Sequence, residues 1–183
     1  WEQAIADVPQ TPVKKRGLSI DYGTMNAFSC GYWELHDDTW YRVDEYYYSG
    51  RDKGVQKTDE DYGRDLDDFV NRHVPNGVRI DVIIDPSAKS FITLLQRKKW
   101  ANVRKARNEV LDGIRDTATA MEKGLIKISP KCTAFIKEVR GYTWEEDAGE
   151  DRPVKINDHA MDETRYFVRT NYIARPKTIY RGF

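Results

Sequence analysis

The sequence predicts one α/β domain built on a mixed central sheet, its first three strands antiparallel and helices on both faces. Two apolar, β-branched runs, Leu18-Ser19-Ile20 and Val82-Ile83-Ile84, each end in an aspartate, as buried strands do where they reach a sheet edge. Between and after them, amphipathic helical stretches alternate with short strand-like runs, which is the pattern of helices layered on a sheet. A chain of 183 residues is long enough to bury one core of ordinary size.

Residues 1–16 hold Pro9, Pro12 and the trio Lys14, Lys15, Arg16 without periodicity, and read as a linker. Because the chain starts at Trp1 with no initiator methionine, a missing N-terminal domain is expected ahead of it. Residues 17–23, 26–35 and 39–48 read as three strands, the last two joined at His36-Asp37-Asp38 as a hairpin, with Tyr46, Tyr47 and Tyr48 covering one edge. Thr58 with Asp61 three residues on opens a helix that places Tyr62, Leu66, Phe69 and Val70 on one face, and Pro75-Asn76-Gly77 follows it.

A strand over 79–85 comes next, then a helix over 87–99 with Phe91, Leu94 and Leu95 as its buried stripe, and a strand over 100–105. Residues 109–123 read as a helix ended by Gly124, residues 125–129 as a short strand, and residues 130–141 as a helix opened by Pro130. Glu145 to Pro153 reads as a loop or hairpin tip, 157–172 as a last helix, and 173–183 as a basic tail. Of the three histidines, His36 and His73 are expected at the surface.

Composition excludes more than it identifies. A hydrophobic fraction of 39% and a mean hydropathy of −0.76 belong to a water-exposed domain, and no apolar run approaches the roughly 18 residues of a membrane span. Cys30 and Cys132 stand far apart without a CxxC partner, so a zinc site or disulfide is not expected. Thirty basic and thirty acidic residues cancel, whereas a self-sufficient DNA binder is usually basic overall. The acidic residues crowd at 59–68 and 145–151, while Arg97, Lys98, Lys99, Arg104, Lys105 and Arg107 gather around Trp100. Such a run is a solvated surface or a weak phosphate-contacting one, with Lys98, Lys99, Arg104 and Lys105 the candidate contacts.

Three aspartates on three separate elements are the candidate chemistry: Asp21 in LSIDYG, Asp85 in DVIIDPSA and Asp162 in NDHAMDETRYF. Any one alone is most simply a turn former or a helix cap, and Asp85-Pro86-Ser87 has the form of a helix start. Together, two at strand ends and one on a helix, they can converge. His159 and Asp162, at i and i+3, share a helix face. Hard oxygen ligands of this kind suit Mg²⁺ or Mn²⁺.

The order of elements and the placing of the carboxylates resemble the ribonuclease H-like superfamily of metal-dependent nucleases. More locally, Asp21-Tyr22-Gly23, Ile84 to Ala88, Asn108 to Ile114 and above all Asp158 to Tyr166 are similar to the nuclease domain of a tailed-phage terminase large subunit, over residues 17–172. The resemblance implies an endonuclease that cuts concatemeric viral double-stranded DNA in the host cytoplasm during packaging. It implies Mg²⁺ or Mn²⁺ held by Asp21, Asp85 and Asp162, with Asp21 bridging two ions, and His159 as a neighbour that positions water, donates to phosphate or ligates metal. It also implies an ATPase domain in the same polypeptide and, as partners, the terminase small subunit and the portal protein. Unlike ribonuclease H itself, the first helix offers only Glu60, at its very start.

Other classes stay open at this level. A Holliday-junction resolvase or a DEDD-type exonuclease shares the fold, although His159 and Asp162 are closer than the exonuclease motif expects. Ile20 to Asn26 also resembles the first phosphate loop of the actin, hexokinase and Hsp70 fold, which needs a second domain and a later glycine-rich loop. A non-catalytic DNA-binding module is the remaining alternative. No zinc finger, helix-turn-helix or P-loop pattern is found, so little sequence specificity is expected.

Overall fold

The computed structural model describes residues 1–141 and 158–174. Six strands, β1 (Val13–Asp21), β2 (Ala27–His36), β3 (Thr39–Ser49), β4 (Ile80–Ile84), β5 (Ala101–Lys105) and β6 (Ile126–Ile128), form one sheet in the order β5-β4-β1-β2-β3-β6. β1, β2 and β3 are antiparallel neighbours; β4 lies parallel to β1, β5 parallel to β4, and β6 parallel to β3. This is the ribonuclease H-like arrangement, and the expected mixed sheet with three antiparallel leading strands is present.

Helices cover both faces. α1 (Gly50–Lys53) is a single turn that the sequence reading did not foresee, followed by α2 (Asp59–His73) and α3 (Lys89–Gln96). α2 starts where the capping pattern placed it, with Thr58 and Asp61 exchanging side-chain and backbone hydrogen bonds. Its Tyr62, Leu66, Phe69 and Val70 join Phe91 and Leu95 of α3 against Leu18, Ile20, Phe28 and Ile84 of the sheet. The opposite face carries α4 (Val110–Glu122), α5 (Thr133–Gly141) and α6 (His159–Thr170). There Phe167 of α6 stacks on Trp33 of β2 at 4.2 Å between ring centres. Gly124, with φ +66°, takes the left-handed position that ends α4.

Four local expectations need correction. β1 starts at Val13, so the basic trio belongs to the sheet, and Ala4 is buried while Ile5 bridges to Ile128. His36 is not a surface turn residue but is 3% exposed. The turn is the Asp37-Asp38 pair alone, with Asp37 at φ 51°, and His36 closes β2 with its ring between Thr11 and Glu34. His73 is half-buried, stacked on Tyr32 and bound to Asp44. Tyr46, Tyr47 and Tyr48 do not share a side: alternation along β3 sends Tyr46 and Tyr48 to the α2 face and Tyr47 to the α5 face. The expected acidic loop at 145–153 and the basic tail beyond 174 lie outside the described residues. Both cysteines are free and buried, as expected.

Buried ions lock α6 onto the sheet. Arg42 of β3, fully buried, donates from Nε to Glu163 at 3.0 Å and from Nη1 to Glu45 at 2.6 Å. Glu163 also accepts from Ser19 of β1, whose oxygen receives the Trp33 indole N–H. Burial alone would lower the Arg42 pKa, but the Glu163 and Glu45 charges outweigh it and raise it, so the cation persists. Gly31 is required beside this network, because a Cβ there would stand 2.7 Å from Glu163 Oε1 and 2.9 Å from Arg42 Nε. Glu45 in turn accepts from the Ala134 and Phe135 amides at the start of α5.

Candidate metal centre

Asp21 is the last residue of β1 and Asp85 the first after β4. The two strands are parallel neighbours paired at Ile20 and Ile84, so both carboxylates emerge at one edge of the sheet. α6 crosses this edge with its first turn. His159, Asp162 and Tyr166 repeat at i, i+3 and i+7, which lines them along one side of the helix.

The convergence is direct for three of these residues. His159 Nδ1 lies 2.8 Å from Asp21 Oδ2, and the Tyr166 hydroxyl lies 3.4 Å from Asp21 Oδ1. The Tyr166 hydroxyl also favours the ionised form of Asp85. Asp85 accepts from the Ser87 amide at 2.7 Å and from Asn108 Nδ2 at 3.1 Å. Its carboxylate therefore closes a local turn and does not cap α3, whose cap position is Ala88 with no side-chain bond. Asp162 is held by Arg165, whose Nε and Nη2 lie 3.1 and 2.9 Å from Oδ1. Arg165 is itself anchored to the Asn108 carbonyl at 2.8 Å.

The electrostatics sort the carboxylates. Burial works against the Asp85 charge, but hydrogen bonds from Ser87, Asn108 and Tyr166 outweigh it and hold the carboxyl below its usual range. Asp162 goes the other way: burial raises it, and Asp158 and Asp21 add to the rise while Arg165 opposes it. The hydrogen bond to Asp21 raises the His159 imidazole despite burial. Burial, Asp21 and Asp162 push the Tyr166 phenol far up, so it stays a neutral donor.

These residues suit a hard divalent cation in their chemistry, since carboxylate oxygens from three elements face one edge and their negative charge is only partly offset. The cage is not preassembled. Among the described residues, no three His, Cys, Asp or Glu side chains are grouped tightly enough to hold an ion as they stand. The reason is visible in the partners: Asp162 is engaged by Arg165 and Asp21 by His159. Beside them a cleft of about 360 Å³ is lined by Asp21, Tyr22, Thr24, Asn26 and His159.

Of the residues singled out in the sequence, Asp21, Asp85, Asp162 and His159 gather at this edge. The basic group does not stay together. Lys98 and Lys99 precede β5 and sit at the far end of the sheet, Lys98 bound to Asp67 at 2.5 Å. Arg104 is paired with Asp81 at 2.9 Å and with Asn171. Lys105, opposite Ile84, stands at the carboxylate end. Tyr166, Asn108 and Arg165 were not singled out, although all three fall inside the quoted motifs. A fourth contributor, Glu138, lies outside them: its Oε2 accepts from the Ala160 and Met161 amides at 2.7 and 3.1 Å and so caps α6 from α5.

No family model matches the chain. The large terminase of a thermophilic bacteriophage, solved in complex with ADP, is 43% identical over 99% of this chain and 43% of its own length, with a TM-score of 0.85. The P22 large terminase nuclease domain aligns with 95% of this chain and 90% of its own at 18% identity and a TM-score of 0.73. The SPP1 large terminase nuclease domain, solved with bound Mn, covers 88% and 92% at 18% identity and a TM-score of 0.59. These two likenesses speak for the fold. A curated relative, the terminase large subunit of Escherichia phage T5, is 22% identical over 157 residues, 82% of this chain and 33% of that protein. The chain thus spans less than half of the thermophilic phage protein and about a third of the T5 one.

Proposed function

The chain has the fold of the nuclease domain of tailed-phage terminase large subunits, and from that premise we propose that it is a divalent-metal-dependent endonuclease. Its substrate would be concatemeric viral double-stranded DNA, cut during genome packaging. The observation that carries this reading is the gathering of Asp21, Asp85, Asp162 and His159 at one sheet edge beside an open cleft. Asp21, Asp85 and Asp162 would hold Mg²⁺ or Mn²⁺, in keeping with the Mn bound to the SPP1 domain. Two such ions, if bound there with DNA, would supply an activated water and charge stabilisation for the attacking and leaving oxygens.

The chain's own groups have separable tasks. His159 uses Nδ1 on Asp21, and its Nε2 has no partner among the described residues. The Asp21 hydrogen bond favours the protonated imidazole, which would donate to a phosphate or leaving oxygen in the cleft. Asn108 and Ser87 fix Asp85, while Arg165 keeps Asp162 from drifting out of reach. Of the four candidate phosphate contacts, Lys105 lies at this edge and would be the one to meet DNA.

The remaining partners follow from the same reading. The segment ahead of β1 would connect to an ATPase domain in the same polypeptide, which presents DNA and makes weak binding by a chain of zero net charge sufficient. The small subunit, the portal protein and the host cytoplasm complete the setting. Among the described residues no helix is long and apolar enough to cross a membrane.

Supercoiled plasmid incubated with and without Mn²⁺ tests the proposal. Nicking and linearisation that require Mn²⁺ or Mg²⁺, stop with EDTA and map to many positions are expected. Cutting from free ends only, or at one preferred junction, would favour an exonuclease or a resolvase.

A further inference from the structure

Tyr166 occupies a position that the nuclease reading does not by itself explain. It is 5% exposed, lies one turn beyond Asp162, and brings its hydroxyl to 3.4 Å from the Asp21 carboxylate that ends β1, on the side where it also favours the Asp85 charge. Its ring is fixed on one side by the Arg165 guanidinium, 4.8 Å from the ring centre. Arg165 simultaneously holds Asp162. One phenol therefore contacts Asp21, favours the charge of Asp85 and, through its cation partner, is tied to Asp162.

We propose that Tyr166 is a positioning residue, whose hydroxyl orients Asp21 and Asp85 toward a shared divalent ion without touching that ion itself. The inference rests on the metal-dependent reading above and deepens it. A phenol carries a single donor proton, while Asp21 and Asp85 together offer four acceptor oxygens. The proton can satisfy one oxygen of either carboxylate from the protein side, leaving the outward oxygens for a cation. Groups that orient metal ligands in this way typically govern affinity by about 10–100-fold when removed. Neither strand can do the orienting, because each carboxylate sits where its strand ends and has only side-chain or turn partners.

The test is Tyr166→Phe, which keeps the ring and its Arg165 contact and removes only the oxygen. Mn²⁺ binding is measured by titration calorimetry and by the electron paramagnetic resonance signal of free Mn²⁺, beside metal-free melting curves. The expected result is a metal-free Tm close to wild type with Mn²⁺ affinity at least about tenfold weaker. Plasmid cutting should return to near wild-type rate at saturating Mn²⁺, so that the loss lies in the metal concentration needed and not in the rate reached. Asp85→Asn is the control for the underlying reading. If Asp85→Asn abolishes Mn²⁺ binding and Tyr166→Phe binds as wild type, the positioning role is wrong and the metal site stands. If Asp85→Asn itself binds Mn²⁺ normally, the metal reading fails, and the role of Tyr166 with it.

Discussion

Glu138 of α5 caps the first turn of α6 through space, its Oε2 2.7 Å from the Ala160 amide, in the turn that presents His159 and Asp162. A helix normally takes its cap from the residue just before it; here Asp158 makes no such bond. The orientation of the candidate site thus depends on a neighbouring helix, and that dependence can be titrated. Burial pushes the Glu138 carboxyl up to about 7 against bonds from Tyr47 and the two amides. An acid whose folded pKa lies above its unfolded value favours folding when protonated. Its contribution is complete below about pH 4.5 and is lost as pH rises to about 7, a change on the order of 3 kcal/mol. Glu138→Gln keeps an acceptor oxygen and removes the titration. Urea unfolding should find the variant near wild type at pH 4.5 and more stable than wild type at pH 8. Equal stability at both would place the carboxyl in its ordinary range.

The three aspartates should separate in stability while agreeing in activity. Asp21→Asn, Asp85→Asn and Asp162→Asn are each expected to abolish Mn²⁺-dependent plasmid cutting. Without metal, Asp85→Asn should lower stability, because hydrogen bonds favour its ionised form. Asp162→Asn should not lower stability, since burial already disfavours that charge. Calorimetric melting in EDTA reads both signs.

Breaking the Arg42–Glu163 pair should be among the most damaging single changes in the domain. Arg42→Met leaves a fully buried carboxylate without its cation and is expected to cost about 3–5 kcal/mol. Adding Glu163→Leu should restore part of that loss, since Glu45 still lacks its cation. A double variant no more stable than Arg42→Met would show that the pair is not the source of the effect. Gly31→Ala should destabilise in the same assay by crowding the two ions.

DNA affinity should respond to Lys105 and not to Lys98 or Lys99. Lys105→Gln is expected to weaken duplex binding and to flatten its log-log salt dependence by up to about 0.9. Lys98→Gln and Lys99→Gln, at the other end of β5, should leave that slope unchanged. Fluorescence anisotropy across a salt series decides between the two ends.

Sequence periodicity located these elements well because the relevant signals are local. Thr58 and Asp61 fix a helix start by bonding each other, and an apolar run that stops at Asp21 or Asp85 marks a strand end without reference to anything distant. The gathering of the candidate site residues was legible for the same reason, since strand ends and an i, i+3 pair are short-range patterns. What escaped was long-range. His36 looked like a turn residue until Thr11, 25 positions earlier, closed over its ring. Glu138 is an ordinary helix residue until α6 returns beside it, and the basic group around Trp100 is contiguous only in sequence, because a parallel strand carries Lys98 and Lys105 to opposite ends.

The buried ion network joins early and late parts of the chain: Arg42 and Ser19 lie on the first three strands, while their shared partner Glu163 waits on α6. At translation rates of about 5–20 residues per second, Asp162 leaves the ribosome seconds after Asp21 and Asp85. Until then the sheet holds a guanidinium with Glu45 as its one acidic partner, and two carboxylates with no helix across them. On the proposed function, cutting competence and the final closure of the core would arrive in a single step, so a nascent or truncated chain lacking α6 would be both unfinished as a fold and harmless to nucleic acid around it.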